Sequence, residues 1–392
     1  MTGTRTMWLR RCGVETVTVI AVTLLGALTI AVAFAPLATA AEAPSATRAA
    51  ATGSIIVVQR AGTQDSLWSV SPAGAGAVKL IDLPFRPARM VGSPDAGKIA
   101  ILPSPGRARI YVYDIAGAKL TALSFAPRGV RRIHGLTWLS STKILVSATK
   151  STRVMKYPLT DRLYTIRTTG GKPVAFRRLR GTEPTAAPGA ARLLYVRFRD
   201  AGRNAADPRS RLVVEDLMSL KLAPGSKPRV VKHARYPDSL DIRRFRDPDV
   251  SPDGKYVVSS TTGSDVSVTY AVRRVATGKL VRAKRTTLGP RDRTAWSHGS
   301  DRVAFWGMPP SGNMQTAAVY VCEVASKKVT REGQFSKVAV AGLAWAPDDA
   351  LLAYALRERR GGVDDGRLWT IEPGMSAAPT DLGEGSLPVW VP

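Results

Sequence analysis

Beyond residue 52 the chain consists of short segments in which apolar and polar residues alternate, separated by Gly, Pro, Asp and Ser. The segment Arg109–Asp114 (RIYVYD) is typical of them. Alternation with a period of two predicts β-strands that bury one face, and no long stretch repeats with the period of a helix. The pattern therefore predicts an all-β body over residues 53–392.

One repeated unit joins a turn to an apolar strand. Its clearest copies begin at Gly92 (GSPDAGKIAI), Val250 (VSPDGKYVV) and Trp345 (WAPDDALLAY). Weaker copies begin at Trp138, Ala186 and Trp296, and the opening of a seventh lies at Trp390. The starts are 46, 48, 64, 46, 49 and 45 residues apart.

The residue types of this unit suggest structural anchors. Pro fixes φ, while Asp and Gly accept turn geometry. Periodic aromatic residues in one register are expected to fill the space between repeats. The predicted anchors are Trp138, Trp296, Trp345, Trp390, Pro94, Asp95, Pro252, Asp253, Gly254 and Pro347.

A second feature alternates with the first and also occurs seven times. It is a strand with Val or an aromatic residue in register, followed by a turn, as in Arg162–Ile166 and Arg367–Ile371. A period of 45–50 residues with four short strands per unit predicts a seven-bladed β-propeller. Because the first copy of this strand precedes the first turn unit and the last turn unit has no strand after it, strands from both ends are expected to complete one blade.

The turn units resemble the WD40-like PD40 repeat of TolB-like propellers, with Val250–Ser259 as the best match. The resemblance covers residues 53–392 and implies a β-propeller. TolB itself has six blades and an additional N-terminal domain, so six blades is the alternative to the seven counted here.

Residues 1–40 resemble an export signal. Arg5, Arg10 and Arg11 precede an apolar run over residues 17–35, which Pro36 and the small residues 38–40 follow. This order favours a cleaved signal peptide, with an uncleaved membrane anchor through residues 17–35 as the alternative. Residues 41–52 are rich in Ala, Pro, Ser and Thr and are predicted to be a flexible linker. We therefore expect a protein exported by a bacterium and secreted or held at the cell surface.

The sequence offers little material for catalysis or metal binding. Its three His are scattered, its two Cys cannot form a Cys-rich metal site, and it lacks a nucleophile elbow or a phosphate-binding loop. His134 and His298 are interpreted as surface or turn residues. The carboxylates of DPDVSPDG (Asp247, Asp249 and Asp253) are interpreted as turn chemistry. No catalytic residue, metal site or cofactor is predicted.

The interval from Ala186 to Val250 is 64 residues long, longer than any other. Its surplus falls in residues 197–211 and 227–249, and residues 171–249 hold 18 Lys and Arg against 9 Asp and Glu. Insertions in repeat proteins form loops on one face, which is often the binding face. The candidate binding residues are Arg197, Arg199, Arg203, Arg209, Arg235, Tyr236, Arg243, Arg244 and Arg246.

The net charge of the chain favours negatively charged partners. The chain carries +27, and loss of residues 1–40 would leave +25. Such a protein is attracted to polyanions, but no nucleic-acid-binding motif is present, so specific nucleic-acid binding is not expected. We predict a monomeric, non-catalytic binding or scaffold module for a protein, an anionic envelope polymer or a lipid surface. The alternatives are a propeller hydrolase or lyase acting on a sugar or lactone near the channel, and a tethered sensor domain.

Overall fold

The structure is a computed structural model that describes residues 53–392, apart from residues 75, 105–108, 126, 128–129, 131, 150–160, 188, 190, 206, 238–244, 263–266, 288–293, 310–315, 337, 359–365 and 376–377. Side chains are likewise not described at 204, 207–211, 237, 287 and 358. The described residues form 28 strands and no α-helix. The strands make seven four-stranded antiparallel sheets, which confirms the predicted seven-bladed β-propeller over the six-bladed alternative.

We number the blades along the chain and give the strands of each from the ring centre outwards. Blade 1 contains β28 (Ser386–Val391), β1 (Ser54–Ala61), β2 (Gln64–Val70) and β3 (Ala77–Leu83). Blade 2 contains β4 (Pro87–Gly92), β5 (Lys98–Pro103), β6 (Arg109–Asp114) and β7 (Lys119–Ser124). Blade 3 contains β8 (Arg132–Ser140), β9 (Lys143–Thr149), β10 (Arg162–Arg167) and β11 (Val174–Arg180). Blade 4 contains β12 (Thr182–Ala187), β13 (Arg192–Asn204), β14 (Asp207–Lys221) and β15 (Arg229–Pro237).

The remaining blades follow the same order. Blade 5 contains β16 (Arg246–Val250), β17 (Tyr256–Thr262), β18 (Ser267–Arg274) and β19 (Leu280–Thr287). Blade 6 contains β20 (Thr294–Trp296), β21 (Arg302–Gly307), β22 (Thr316–Glu323) and β23 (Val329–Ser336). Blade 7 contains β24 (Val338–Trp345), β25 (Leu352–Glu358), β26 (Gly366–Ile371) and β27 (Thr380–Glu384).

The inner strands form a complete cycle. Each contacts the next in the order β4, β8, β12, β16, β20, β24 and β28, and β28 contacts β4. Blade 1 joins both ends of the described chain, because β28 pairs antiparallel with β1, placing Trp390 opposite Ile55 and Val389 opposite Ile56. A cyclic array leaves no open edge at the ring centre.

The two sequence features occupy the same places in every blade. The apolar strand behind each turn unit is the second strand, and the Val- or aromatic-bearing strand is the third. We call the end of the blades that carries the hairpins between second and third strands the upper face; the connections from one blade to the next also lie there. The turn units, between inner and second strands, lie on the lower face.

The apolar core lies between successive blades. Second strands are buried on both sides, as in β5, whereas outer strands such as β11 are largely exposed. One cluster contains Ile110 of blade 2 and Trp138 of blade 3, and another contains Val319 of blade 6 and Tyr354 of blade 7. Burial between sheets is therefore the main apolar contribution to holding the ring together.

Bulges recur in the inner strands. The pairing register shifts within β4, β8, β12, β16 and β24, and between β28 and β1. Glu183, Asp247 and Leu387 have φ values of 50°, 45° and 54°, in the left-handed region. A bulge redirects a side chain relative to a regular strand, so the side chains at these positions depart from the regular alternation of the inner strands.

The N-terminal predictions concern residues outside this description. The signal or anchor at residues 1–40 and the linker at 41–52 both lie there. Among the residues that are described, none belongs to a helix of the length and apolarity that crossing a bilayer would need.

Candidate functional site

Blade 4 carries an extension on the upper face. Its strands β13 and β14 are 13 and 15 residues long, against 6 to 8 for the second and third strands of the other blades. They pair from Arg192 and Lys221 at the base to Asn204 and Asp207 at the tip, and β15 follows β14 as far as Leu212 and Pro237. We call residues 197–211 together with 232–237 the arm. Each strand has at least five residues more than its counterparts in the other blades, which extends the arm by ~17 Å or more beyond an ordinary blade.

A buried carboxylate holds two of the predicted binding arginines. Asp216 is fully buried, and its Oδ2 accepts hydrogen bonds from Arg197 Nη2 at 2.7 Å and Arg199 Nε at 2.8 Å. Burial raises the pKa of Asp216, but the hydrogen bonds from Arg199 and Arg197 outweigh it and hold that pKa below its usual value. Both guanidinium groups are thus already engaged by the protein and stiffen the base of the arm.

A second buried carboxylate joins the arm to blade 5. Glu215 is fully buried; its Oε2 accepts a hydrogen bond from the Tyr236 hydroxyl at 2.8 Å, and its Oε1 accepts one from the Phe245 backbone N–H at 3.1 Å. Tyr236 is 3% exposed and Arg246 is 6% exposed. The Tyr236 ring and the Arg246 side chain therefore lie inside the protein in this structure.

The remaining candidate residues fall into two groups. Arg203 near the tip and Arg235 on β15 are exposed. Arg209 lies on β14, but its side chain is outside the described residues, as are Arg243 and Arg244 entirely. The structure thus brings Arg203, Arg209 and Arg235 onto one arm, with Arg203 and Arg235 open to solvent.

Tryptophan anchors connect neighbouring inner strands. The indole N–H of Trp138 donates to the Val91 carbonyl oxygen at 2.9 Å, that of Trp296 to Asp249 O at 3.0 Å and that of Trp345 to Ala295 O at 2.9 Å. Each acceptor lies on the preceding blade. Trp390 is buried between blades 7 and 1. The four rings therefore lie in the seams between blades rather than in an open binding surface.

The lower-face turns show why the motif needs its residues. Ser93 Oγ donates to Asp95 Oδ1 at 2.5 Å and accepts from the Lys98 backbone N–H at 2.9 Å. Ser251 Oγ makes the same pair of bonds with Asp253, at 2.6 Å, and with the Tyr256 N–H, at 3.0 Å. Each serine hydroxyl thus links its turn to the strand that follows.

Proline and glycine complete these turns. Pro94, Pro252 and Pro347 occupy the second position of their turns, where a fixed φ is favourable. Gly254 has a φ of 68°, which glycine adopts without a steric penalty.

His134 and His298 each have a carboxylate partner. His134 lies within β8, and its Nδ1 is 2.7 Å from Oδ2 of the fully buried Asp161. His298 lies in a lower-face turn, where Asp349 of blade 7 accepts from its backbone N–H at 2.6 Å. The imidazole Nδ1 of His298 also lies 3.2 Å from Asp349 Oδ1, and this side-chain hydrogen bond raises the pKa of His298. The surface or turn interpretation fits His298, whereas His134 belongs to a strand and is mostly buried.

Asp249 connects three blades at the ring centre. It lies on inner strand β16, and its carboxylate accepts hydrogen bonds from Thr185 of blade 4 and Thr294 of blade 6, both at 3.3 Å. Burial raises the pKa of Asp249 to about 6, against lowering contributions from the positive charge of Arg89 and the two threonines. The turn interpretation holds for Asp253, but Asp247 and Asp249 lie on a strand.

We expect protonation of Asp249 to stabilise the ring. Its pKa in the folded state is above the ordinary value, so its contribution is complete below pH ~4 and is lost as pH rises through about 6. A shift of two pKa units corresponds to about 3 kcal/mol at most. Asp249→Asn should therefore flatten the dependence of the unfolding free energy on pH between about 4 and 6, measured by urea unfolding. An unchanged pH dependence would contradict this assignment, and Asp253→Asn in a lower-face turn is the control.

No cluster of three or more His, Cys, Asp or Glu suited to a metal ion occurs among the described residues. Cys322 is buried, and burial raises the pKa of its thiol to about 11, so the thiol remains protonated at neutral pH. The described part of the molecule therefore offers an arm and a ring-centre carboxylate as its chemically distinctive features.

Sequence reasoning missed the two carboxylates that organise the arm. Glu215 and Asp216 are adjacent charges within the apolar run VVEDLM. Charges in such a run are seldom left buried without partners, which is the signal that would have identified them. Their partners depend on cross-strand register, in which Arg197 is opposite Asp216.

Comparison with solved structures identifies the fold. The oligogalacturonate lyase of Vibrio parahaemolyticus has a TM-score of 0.53 and 12% identity, with 82% of this chain and 92% of that chain covered. An oligogalacturonate lyase in complex with manganese has a TM-score of 0.53 and 11% identity, covering 83% and 95%. TolB from Acinetobacter baumannii has a TM-score of 0.49 and 15% identity, covering 88% and 67%. No protein-family model and no curated protein matches the sequence. At these identities the similarity establishes the propeller fold and nothing finer.

Proposed function

We propose that this chain is an exported, non-catalytic binding module that recognises a negatively charged partner through the upper face of its propeller. The partner is an anionic envelope polymer, a lipid surface or an acidic protein. Residues 1–40 direct export, either as a cleaved signal peptide or as an anchor through residues 17–35. The linker over residues 41–52 then separates a monomeric propeller from the membrane or from the cleavage site.

The arm of blade 4 is the observation that carries this proposal. It rises from a rigid base in which Asp216 engages two arginines and Glu215 engages Tyr236 and Phe245. Arg203 and Arg235 are exposed along it. A hairpin that projects from a rigid repeat scaffold can contact a binding partner through both its backbone and its side chains. A regular blade does not offer these contacts.

Electrostatics favours an anionic partner. The chain without residues 1–40 carries +25, so its summed field attracts polyanions before contact. Guanidinium groups form paired hydrogen bonds with carboxylate and phosphate groups, which adds geometric selectivity to this attraction. Binding of this kind weakens as ionic strength rises.

We expect neutralisation of the arm to weaken binding at least tenfold. Arg203→Gln, Arg209→Gln and Arg235→Gln together remove three positive charges and keep Arg197, Arg199 and Tyr236 in place. The protein is titrated with polygalacturonate, with vesicles containing phosphatidylglycerol and with an acidic protein, and affinity is measured at low and high salt. The triple variant should also show a smaller loss of affinity with added salt than the unmodified protein.

The control removes the same charge from the lower face. Lys119, Lys143 and Lys327 are exposed there, so their substitution by Gln tests net charge without the arm. Equal losses in the two triple variants, or no binding to any of the three probes, would refute the proposal. Shortening of polygalacturonate by the purified protein would instead favour the alternative, a hydrolase or lyase with residues such as Asp249 near the ring centre.

A further inference from the structure

The outer edges of blades 3, 4 and 5 carry a different charge from those of the other four blades. From the last residue of the third strand to the end of the outer strand, these blades run over residues 167–180, 221–237 and 274–287. The three segments hold 15 Lys and Arg and no Asp or Glu. The corresponding segments of blades 1, 2, 6 and 7 hold 5 Lys and Arg against 7 Asp and Glu. The outer edge of the propeller is therefore strongly basic along one side of the ring and close to neutral along the other.

Each of these three blades has an exposed apolar residue at the first or second position of its outer strand. They are 63%, 44% and 52% exposed in blades 3, 4 and 5: Val174, Val230 and Leu280. An exposed lysine lies one to three residues before each of them: Lys172, Lys227 and Lys279. The three lysines make no ion pair with any residue that the structure describes. We call these six residues the basic corner; it lies on the lower face, at the opposite end of the blades from the arm.

Two arginines fasten the three outer edges to one another. Arg177 of blade 3 donates from Nη2 to the Leu222 and Ala223 carbonyl oxygens of blade 4, at 2.9 and 3.0 Å. Arg229 of blade 4 donates from Nη2 to the Val275 carbonyl oxygen of blade 5, at 3.2 Å. These acceptors lie in the turns between third and outer strands, so the turns that carry the basic corner form one connected surface. Both arginines are engaged by the protein, and the contact with a partner falls to the lysines and the apolar residues.

Exposed apolar side chains next to lysines suit a lipid surface better than a soluble polyanion. An apolar side chain gains free energy when it leaves water for the boundary between headgroups and acyl chains. A lysine beside it stays at the level of the anionic headgroups, because its long apolar stem lets the ammonium group reach away from the apolar residue. A soluble polyanion is attracted by the lysines alone and leaves the apolar residues in water.

We propose that the basic corner docks on a bilayer that contains anionic lipid. Val174, Val230 and Leu280 insert between the headgroups, and the three lysines contact the lipid phosphates. The lower edge of blades 3, 4 and 5 then lies against the membrane. This contact is separate from the arm, which projects from the opposite end of the blades, and it does not rest on the function proposed for the arm.

The ring closes within residues 54–391, so the test uses residues 41–392, which lack the apolar run at 17–35 that would itself enter a bilayer. Co-sedimentation is measured with vesicles of phosphatidylcholine alone and with vesicles that also contain phosphatidylglycerol. Only the anionic vesicles should bind. Lys172→Gln, Lys227→Gln and Lys279→Gln together should weaken this binding at least about tenfold. Val174→Ser, Val230→Ser and Leu280→Ser together should remove the binding that persists at high salt, where the charges are screened and insertion is the remaining contribution.

The matched control removes three lysines from the same turns of blades 2 and 6: Lys119→Gln, Lys327→Gln and Lys328→Gln. It lowers the net charge by the same amount and should weaken vesicle binding less than about threefold. Polygalacturonate separates the lipid surface from polyanions in general. If substitution of the basic corner weakens binding to polygalacturonate as much as binding to vesicles, the corner is a site for polyanions and the proposal is wrong.

Insertion is measured with a fluorescent dye at one position. Cys322 is the only cysteine of residues 41–392, and its burial raises the pKa of its thiol to about 11, so Leu280→Cys supplies a single reactive thiol for an environment-sensitive dye. The emission of the dye should shift to shorter wavelength with anionic vesicles. Val78→Cys is the control, because Val78 is 65% exposed at the same place in blade 1, where Lys79 pairs with Asp82. Equal shifts at the two positions, equal losses in the two lysine variants or no binding to anionic vesicles would overturn the proposal.

Discussion

Deleting residues 386–392 is expected to abolish the cooperative unfolding transition at ordinary temperatures or to lower its midpoint by more than 10 °C. The deletion removes β28, the inner strand of blade 1. Val389, Trp390 and Val391 are all at least 91% buried, and complete burial of an apolar side chain contributes ~1.5–3 kcal/mol. Their sum is comparable to the total stability of ~5–15 kcal/mol that is usual for a folded protein.

A second consequence of this deletion concerns aggregation. Without β28, strand β1 loses its inner partner over Ser54–Val58 and presents unpaired backbone groups at an edge. We expect the truncated protein to associate at concentrations where the full chain is monomeric, as measured by light scattering with thermal unfolding.

A peptide experiment separates loss of this strand from a general effect of truncation. A synthetic peptide of residues 382–392 added in trans should restore part of the transition, because it can pair with β1. A scrambled peptide of the same composition is the control. An unfolding midpoint within 2 °C of the full chain would contradict the role assigned to β28.

Replacing Trp345 with alanine should cost about 3–5 kcal/mol of unfolding free energy. Trp345 is 2% exposed in the seam between blades 6 and 7, where its ring packs in the same cluster as Val319 and Tyr354. The substitution also removes the hydrogen bond to Ala295 O and the stacking of the Arg302 guanidinium, whose carbon is 4.7 Å from the ring centroid. The unfolding free energy is measured by urea titration followed by far-ultraviolet circular dichroism.

A phenylalanine pair isolates the hydrogen bond. Trp345→Phe keeps an aromatic ring but removes the indole donor, at an expected cost of about 1 kcal/mol for the hydrogen bond alone. Trp306 is the matched control, since it is fully buried and its Nε1 has no hydrogen-bond partner among the described residues. Equal costs for Trp306→Phe and Trp345→Phe would show that the indole bond between blades contributes nothing measurable.

The sequence was sufficient for the repeat architecture. Turn units such as Val250–Tyr256 fix the start of a second strand because Pro, Asp and Gly have few alternative conformations. The surplus between Ala186 and Val250 correctly marked the blade with unusual strands. The turn units and the surplus residues each lie within one short stretch of sequence, so patterns over a few neighbouring residues are enough to predict them.

The side-chain contacts of the candidate site were harder to predict from the sequence than the repeat architecture. Arg197 and Arg199 were predicted to face a ligand, yet Asp216 holds both, since the pairing of β13 with β14 places Arg197 opposite that carboxylate. Register of this kind is set by packing along the whole hairpin and not by composition. Arg199 is nevertheless exposed, as are Arg203 and Arg235, so three of the candidate arginines face solvent along the arm.

Long-range assembly accounts for the other features that the sequence did not predict. Asp249 receives hydrogen bonds from residues 64 and 45 positions away, because the inner strands of three blades meet there. A cavity where blades 7, 1 and 2 meet is lined both by Arg60 and by Arg357, almost 300 residues later. Both arrangements exist only in a ring, and no local motif encodes them.

Amide hydrogen exchange of the propeller, with and without polygalacturonate, tests most directly whether the arm is the binding surface. We expect slower exchange over residues 197–211 and 232–237 and no change in the lower-face turns at residues 93–98 and 251–256. Protection confined to those turns, or exchange in the arm that is the same with and without the polyanion under conditions where the polyanion binds, would contradict it.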